Sequence, residues 1–206
     1  MDKLYYISQG DHLENIKNAC EGGLRLVQLR AKEVSFTVHV QLALKVKKIC
    51  DSYGAILIIN DNVALAELIN AQGVHLGKSD ECPREARAVL GMNKIIGATA
   101  NTYEDCVALI NKKVDYIGLG PFRFTSTKQH LSPLLGLEGY RNILKKLRDN
   151  GYKTPVYAIG GIQKEDVEAL FKTNINGVAV SGILSGKTTV EIKSYYEYIS
   201  NCGYRI

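Results

Sequence analysis

The feature that most constrains this chain is a change of hydrophobic period, repeated eight times. Short β-rich runs (LYYIS, LRLVQLR, AILIIN, GVHLG, KIIGATA, VDYIGLG, PVYAIGG, INGVAVSG) alternate with longer runs of helical spacing (HLENIKNACEGG, FTVHVQLALKVKKICDSYG, NVALAELINAQ, PREARAVLG, TYEDCVALINKK, YRNILKKLRDNG, KEDVEALFKTN, TTVEIKSYYEYIS). Several of the β-rich runs, notably AILIIN, are apolar at successive positions rather than alternate ones. That pattern suits a parallel sheet, with helices over one face and a packed interior against the other. Eight β/α repeats favour closure into a (β/α)8 TIM barrel, although 206 residues is near the lower limit for that fold. An open doubly wound sheet is the competing architecture, and it would place a ligand at a topological switch point.

The composition is that of a globular protein: 46% hydrophobic and 23% charged residues exclude a disordered or collagen-like chain. No segment is biased enough to be a linker, so residues 1–206 are expected to form a single domain. With 26 basic and 21 acidic residues the net charge is +5, compatible with anionic ligands but no argument for nucleic acid. No run reaches the ~18–20 apolar residues of a membrane span, and the N-terminus lacks a secretory h-region, so a cytoplasmic protein is expected. Five scattered cysteines without a C-x-x-C pair argue against a disulfide framework and against a zinc site.

In a barrel, function collects where strands end at the C-terminal rim. Gln28, Arg30 and Lys32 alternate by two and would share one side of an extended segment. Strand-end charges also pair with neighbouring loops, so these three do not by themselves define a site. Asn60 and Asp61 follow the third strand, Lys78, Ser79 and Asp80 the fourth, and Thr99 and Asn101 close the fifth. Each aspartate precedes a helical run and is open to an N-cap reading. Together, beside several cations, they suit a hard cation such as Mg2+ bridging a polyphosphate. Gly160-Gly161 and Ser181-Gly182 stand where the loops after strands seven and eight commonly bind phosphate through backbone N–H groups.

The stretch GPFRFTSTKQHL, after the sixth strand, opens the one long connection, Pro121 to Gly139. Its length suits a lid, with Phe122 and Phe124 available either to anchor it against the rim or merely to cover the core. No nucleophile stands out. Cys82 has no histidine partner in sequence, His75 reads as strand packing, and His12 and His39 fall in helical runs.

The segments VQLRAK, INDNVALA, GVHLGKSD, GATANT, GPFRFTSTK, AIGGI and GVAVSG run in order through nearly the whole chain. Taken together they resemble the thiamine phosphate synthase family. The resemblance implies a Mg2+-assisted transferase that joins 4-amino-5-hydroxymethyl-2-methylpyrimidine diphosphate to hydroxyethylthiazole phosphate, releasing pyrophosphate. By position it assigns Gln28, Arg30, Lys32 and Asn60 to the pyrimidine diphosphate, Asp61 and Asp80 to Mg2+, and Thr99 to the pyrimidine. It assigns Lys128 to the leaving pyrophosphate, making Arg30, Lys32 and Lys128 the catalytic cations. Thr125, Ser126, Thr127, Gly161, Ser181 and Gly182 fall to the thiazole phosphate. A homo-oligomer is also implied. Two positions depart from the family's commoner pattern: Ala31 stands for Glu, and Lys78 for Gln, which adds a charge near the metal ligands.

Two other functions compete. A thiazole tautomerase has a similar barrel but breaks no diphosphate, so it has no use for the Asp61/Asp80 pair or Lys128. A non-catalytic phosphate-ligand sensor would keep the phosphate cradle without turnover.

Overall fold

The β-rich runs and the helical runs fold as an eight-stranded closed barrel of parallel strands, in the order β1 to β8. A computed structural model describes residues 1–124 and 134–202. The strands are β1 Leu4–Ile7, β2 Leu26–Leu29, β3 Ile56–Asn60, β4 Gly73–Leu76, β5 Ile95–Ala100, β6 Tyr116–Leu119, β7 Val156–Ile159 and β8 Gly177–Val180. After them come α1 His12–Glu21, α2 Phe36–Ser52, α3 Val63–Leu68, α4 Pro83–Leu90, α5 Tyr103–Asn111, α6 Gly136–Asp149, α7 Val167–Phe171 and α8 Thr189–Cys202. Pairing of Tyr5 with Ala179 and of Tyr6 with Val180 closes the ring, which rules out the open sheet.

Successive side chains of a strand point to opposite faces, and here both faces are apolar. Leu4, Tyr6, Val27, Leu29, Leu57 and Ile59 pack in the outer core under the helices, while Tyr5, Leu26, Ile58, Tyr116, Tyr157 and Ala179 fill the barrel interior. Three tyrosine rings occupy that interior edge to face: Tyr5–Tyr116 at 5.8 Å, Tyr5–Tyr157 at 5.7 Å and Tyr116–Tyr157 at 5.6 Å between centroids. They fit because glycines stand against them. A Cβ on Gly97 would lie 2.0 Å from Cζ of Tyr116, and one on Gly177 would lie 2.6 Å from Cε1 of Tyr157. Large and small side chains thus share one narrow lumen.

The rim loops end in helix caps. Asp11, Ser35, Asn62 and Thr102 accept from the backbone N–H three residues on, opening α1, α2, α3 and α5. Two elements differ from the sequence expectation. α6 starts at Gly136, before the run YRNILKKLRDNG, because the glycine-rich GLEG reads as loop while backbone bonds from Leu135 to Pro121 and from Gly136 to Phe122 fix the entry. The run KEDVEALFKTN divides into a 3-10 turn, Lys164–Asp166, and the short α7. Among the described residues no helix is long and apolar enough to cross a membrane.

Candidate active site

Four adjacent strands, β2 to β5, bring one group of rim residues together. Gln28 lies inside the barrel, 1% exposed, and its Nε2 donates to the Tyr5 hydroxyl at 2.6 Å. β2 ends at Leu29, so the alternation expected for Gln28, Arg30 and Lys32 holds only loosely: Gln28 is buried, Arg30 half-buried and Lys32 exposed. The Arg30 backbone N–H is held by the Ser8 hydroxyl at 3.3 Å. Its guanidinium makes no ion pair among the described residues, which leaves it available to an anion.

Asp61 and Asp80 are not helix caps. Asn62 caps α3, and α4 opens at Cys82 with Pro83 in its first turn and the Glu85 carboxylate accepting from the Cys82 N–H at 3.3 Å. Asp61 adopts a left-handed backbone, φ +63°, while its N–H donates to the His75 carbonyl at 2.8 Å. A non-glycine residue in that region is uncommon and costs energy, so the geometry is imposed by its surroundings. The Asp61 carboxyl lies within hydrogen-bond reach of that of Asp80. Burial pushes the Asp61 carboxyl up to about 6, the hydrogen bond and charge of Asp80 add to the rise, and Lys32 and Asn60 oppose it. Asp80 accepts from the Gly77 N–H at 2.6 Å, and a Cβ on Gly77 would stand 2.9 Å from that oxygen. Glycine at 77 therefore lets Asp80 approach.

Lys78 does not add a free charge beside these carboxylates. Its Nζ lies 2.6 Å from Asp105 Oδ2, and Asp105 also accepts from the backbone N–H groups of Asn101 and Thr102 at the start of α5. These bonds and the lysine outweigh partial burial and hold the Asp105 carboxyl below the usual range.

Thr99 closes β5 with its hydroxyl 3.0 Å from His75 Nε2, and His75 Nδ1 lies 2.9 Å from the Tyr116 hydroxyl. His75 is buried, as strand packing requires, and both of its ring nitrogens are engaged. Sequence reasoning missed its tie to Thr99, along with Tyr5 and Tyr116. The available signal was phase: Tyr5, Gln28, His75, Thr99 and Tyr116 all fall on lumen-facing positions of their strands.

The other half of the rim belongs to β6, β7 and β8. Asn101 donates its side-chain N–H to the Gly120 carbonyl, just before Pro121. Phe122 is buried against Tyr140, with ring centroids 5.9 Å apart, whereas Phe124 is 63% exposed and anchors nothing. Of the two, Phe122 covers the core and Phe124 does not, and a cation supplies the second tie. Arg123, unassigned from sequence, forms a bidentate pair with Asp166 at 2.7 and 2.8 Å and reaches the Gly161 carbonyl at 3.2 Å. Backbone bonds from Phe122 to Ile159 and from Arg123 to Gly160 tie the loop's first turn to the end of β7. Gly160 and Gly161 both have positive φ, +96° and +68°, and a Cβ on Gly160 would meet Pro121 at 2.8 Å. Ser181 and Gly182 open a turn after β8 in which the Ser181 carbonyl accepts from Leu184 and Ser185. Thr125, Ser126, Thr127, Lys128 and His130 lie outside the described residues.

The chain is similar to known proteins over most of its length. The family model described as thiamine monophosphate synthase matches residues 4–184. A thiamine-phosphate synthase of Flavobacterium psychrophilum is 50% identical over 188 residues, covering 89% of this chain and 91% of the relative. One from Bacteroides fragilis is 49% identical over 181 residues, covering 87% and 89%. The solved thiamine phosphate pyrophosphorylase from Pyrococcus furiosus superposes with a TM-score of 0.86 at 27% identity, covering 97% of this chain and 96% of that one.

Proposed function

The chain belongs to the thiamine monophosphate synthase family, a family of transferases in thiamine biosynthesis, and from that premise we propose how its rim performs the reaction. The substrates are 4-amino-5-hydroxymethyl-2-methylpyrimidine diphosphate and hydroxyethylthiazole phosphate; the products are thiamine phosphate and pyrophosphate. The carbon–oxygen bond to the diphosphate breaks first, and its electron pair leaves with the diphosphate. The resulting pyrimidine methyl cation is captured by the thiazole nitrogen. Such a step needs charge stabilisation at the leaving group and little proton transfer.

The observation that carries this reading is the meeting of Asp61 and Asp80 at the ends of adjacent strands, with Lys32 near enough to Asp61 to favour its charged form. Burial and then the neighbouring Asp80 raise the Asp61 carboxyl to about 6, and a cation held between the two carboxyls would oppose that rise. Their oxygens suit Mg2+, a hard ion that completes its shell with waters and phosphate oxygens. When bound, Mg2+ would supply positive charge to the departing diphosphate. Arg30 and Lys32 neutralise the same group, Asn60 sits beside it, and Gln28 and Thr99 orient the pyrimidine. Lys128 completes the leaving-group cations. The turns at Gly161 and at Ser181-Gly182, with Thr125, Ser126 and Thr127, take the thiazole phosphate. Left-handed glycines at 160 and 161 suit that role, because a backbone without a Cβ can approach an anion closely.

Mixing the purified protein with both substrates and Mg2+ tests the proposal. Thiamine phosphate is the expected product; binding of both substrates without product would overturn it. Conversion of a thiazole carboxylate isomer without any pyrimidine substrate would favour a tautomerase instead.

A further inference from the structure

We propose that Cys20 and Cys50 form an oxidisable pair, which hydrogen peroxide converts to a disulfide joining α1 to α2 on the face of the barrel opposite the rim. The inference is independent of the reaction assigned to the rim.

The two cysteines are far apart in sequence, and the fold brings them together. Cys20 stands in the last turn of α1 and Cys50 in the last turn of α2. Both helices end beside the strand starts. The Leu24 N–H bonds to the Ala19 carbonyl just ahead of β2, and the Ala55 N–H bonds to the Cys50 carbonyl at 2.8 Å just ahead of β3. Next to the cysteines, the Tyr53 hydroxyl donates to Glu21 Oε1 at 2.8 Å and ties the two helix ends together. Both cysteines belong to the outer core, 1% and 0% exposed, and their thiols lie within hydrogen-bond reach of each other. Cys82, Cys106 and Cys202 stand elsewhere, at the cap of α4, in α5 and at the end of α8.

The two thiols are not equivalent. The hydrogen bond from Cys50, with the charge of Arg25, holds the Cys20 thiol below its ordinary value against burial and Glu21. The same bond and burial push the Cys50 thiol up. Arg25 is fixed there: its Nη1 donates to the Cys20 carbonyl at 3.0 Å and to the Leu24 carbonyl at 2.9 Å. Cys20 is therefore the nucleophile. Its thiolate attacks one peroxide oxygen, the O–O bond breaks, and the departing hydroxide takes a proton and leaves as water. The Cys50 sulfur then attacks the sulfur of the Cys20 sulfenic acid. The S–O bond breaks, and its hydroxyl leaves with the Cys50 proton as a second water. Two thiols and one peroxide thus give one disulfide and two waters, the sulfurs losing the two electrons that the peroxide gains. Because both sulfurs are buried, peroxide meets them only when the last turn of α1 opens, and helix ends open most easily.

The test treats the folded protein with hydrogen peroxide, blocks remaining thiols with iodoacetamide, and maps peptides by mass spectrometry without reductant. The expected product is a peptide pair joined through Cys20 and Cys50, lighter by two hydrogens and separated again by dithiothreitol. The melting temperature of the oxidised protein should rise by about 5–10 °C, because the bond closes a loop of about 30 residues. Cys50→Ser should stop at a Cys20 sulfenic acid that dimedone labels, whereas Cys20→Ser should leave Cys50 unlabelled. The wild-type peptide map decides the matter even where a serine variant folds poorly. Recovery of both residues as alkylated thiols, or as sulfonic acids without the link, overturns the inference. So does a yield of the Cys20–Cys50 link no greater in the folded protein than in urea, or a link that lowers the melting temperature.

Discussion

Asp61→Asn should stabilise the metal-free protein at neutral pH, an unusual result for a residue proposed to hold a metal. The carboxyl stands at about 6 against an ordinary 3.8, chiefly through burial and then through Asp80. A difference of about 2, at 1.36 kcal/mol per pH unit, bounds the effect at about 3 kcal/mol. Asp61 is only partly buried, so screening reduces the expected value to about 1–2 kcal/mol. The sign follows from linkage. The folded state holds this proton more tightly than the unfolded one, so the contribution to stability is full below the unfolded value and is lost as pH rises through about 6. Asparagine carries no charge to repel Asp80, and it tolerates the left-handed backbone at least as well as aspartate. In EDTA at pH 7.5 the variant should therefore melt about 2–8 °C above the parent. At pH 4.5, where the parent's Asp61 is largely protonated when folded, about a third of that gain should remain. A variant that melts below the parent at pH 7.5, or that gains equally at both pH values, would refute the account of two carboxylates in contact.

Asp80→Asn should fold normally by circular dichroism yet lose most of its activity at limiting Mg2+; unchanged Mg2+ titration curves would remove Asp80 from the metal site. Lys128→Ala should slow turnover more than it weakens binding of the thiazole phosphate, read as a fall in kcat with little change in KM for that substrate. Gly97→Ala should destabilise by at least about 1–3 kcal/mol in urea unfolding, since its methyl would sit 2.0 Å from the Tyr116 ring. Arg123→Ala should leave stability within about 1 kcal/mol, because the Asp166 pair is partly exposed, while raising the thiazole phosphate KM.

The barrel was legible because each strand had to be apolar on both faces and each helix on one, so a shift of period marks every boundary. Boundaries blurred where local chemistry was ambiguous. GLEG looks like loop, yet Gly136 begins α6 once the Leu135 and Gly136 amides bond back to Pro121 and Phe122. At the site, Asp61 and Asp80 could be paired from sequence because adjacent strands must present their ends side by side. The Lys78–Asp105 pair could not, since it depends on how the loop after β4 leans on the cap of α5. The interior chain was hidden for a different reason. Tyr5, His75 and Tyr116 sit in strongly apolar runs, where a polar tip on a core side chain carries no periodic signal. Only closure of the ring, which sets β1 across from β6, brings the Tyr5 and Tyr116 hydroxyls to 2.9 Å.

The most direct test of the central claim follows both products over time with the pyrimidine diphosphate and the thiazole phosphate in excess, first in EDTA and then with Mg2+ restored. Pyrophosphate and thiamine phosphate should appear one for one, fall to a small residual rate in EDTA, and recover on adding Mg2+. Equal rates with and without the metal, or pyrophosphate release with no thiamine phosphate, would contradict the assignment of this rim to metal-assisted departure of the diphosphate and capture by the thiazole.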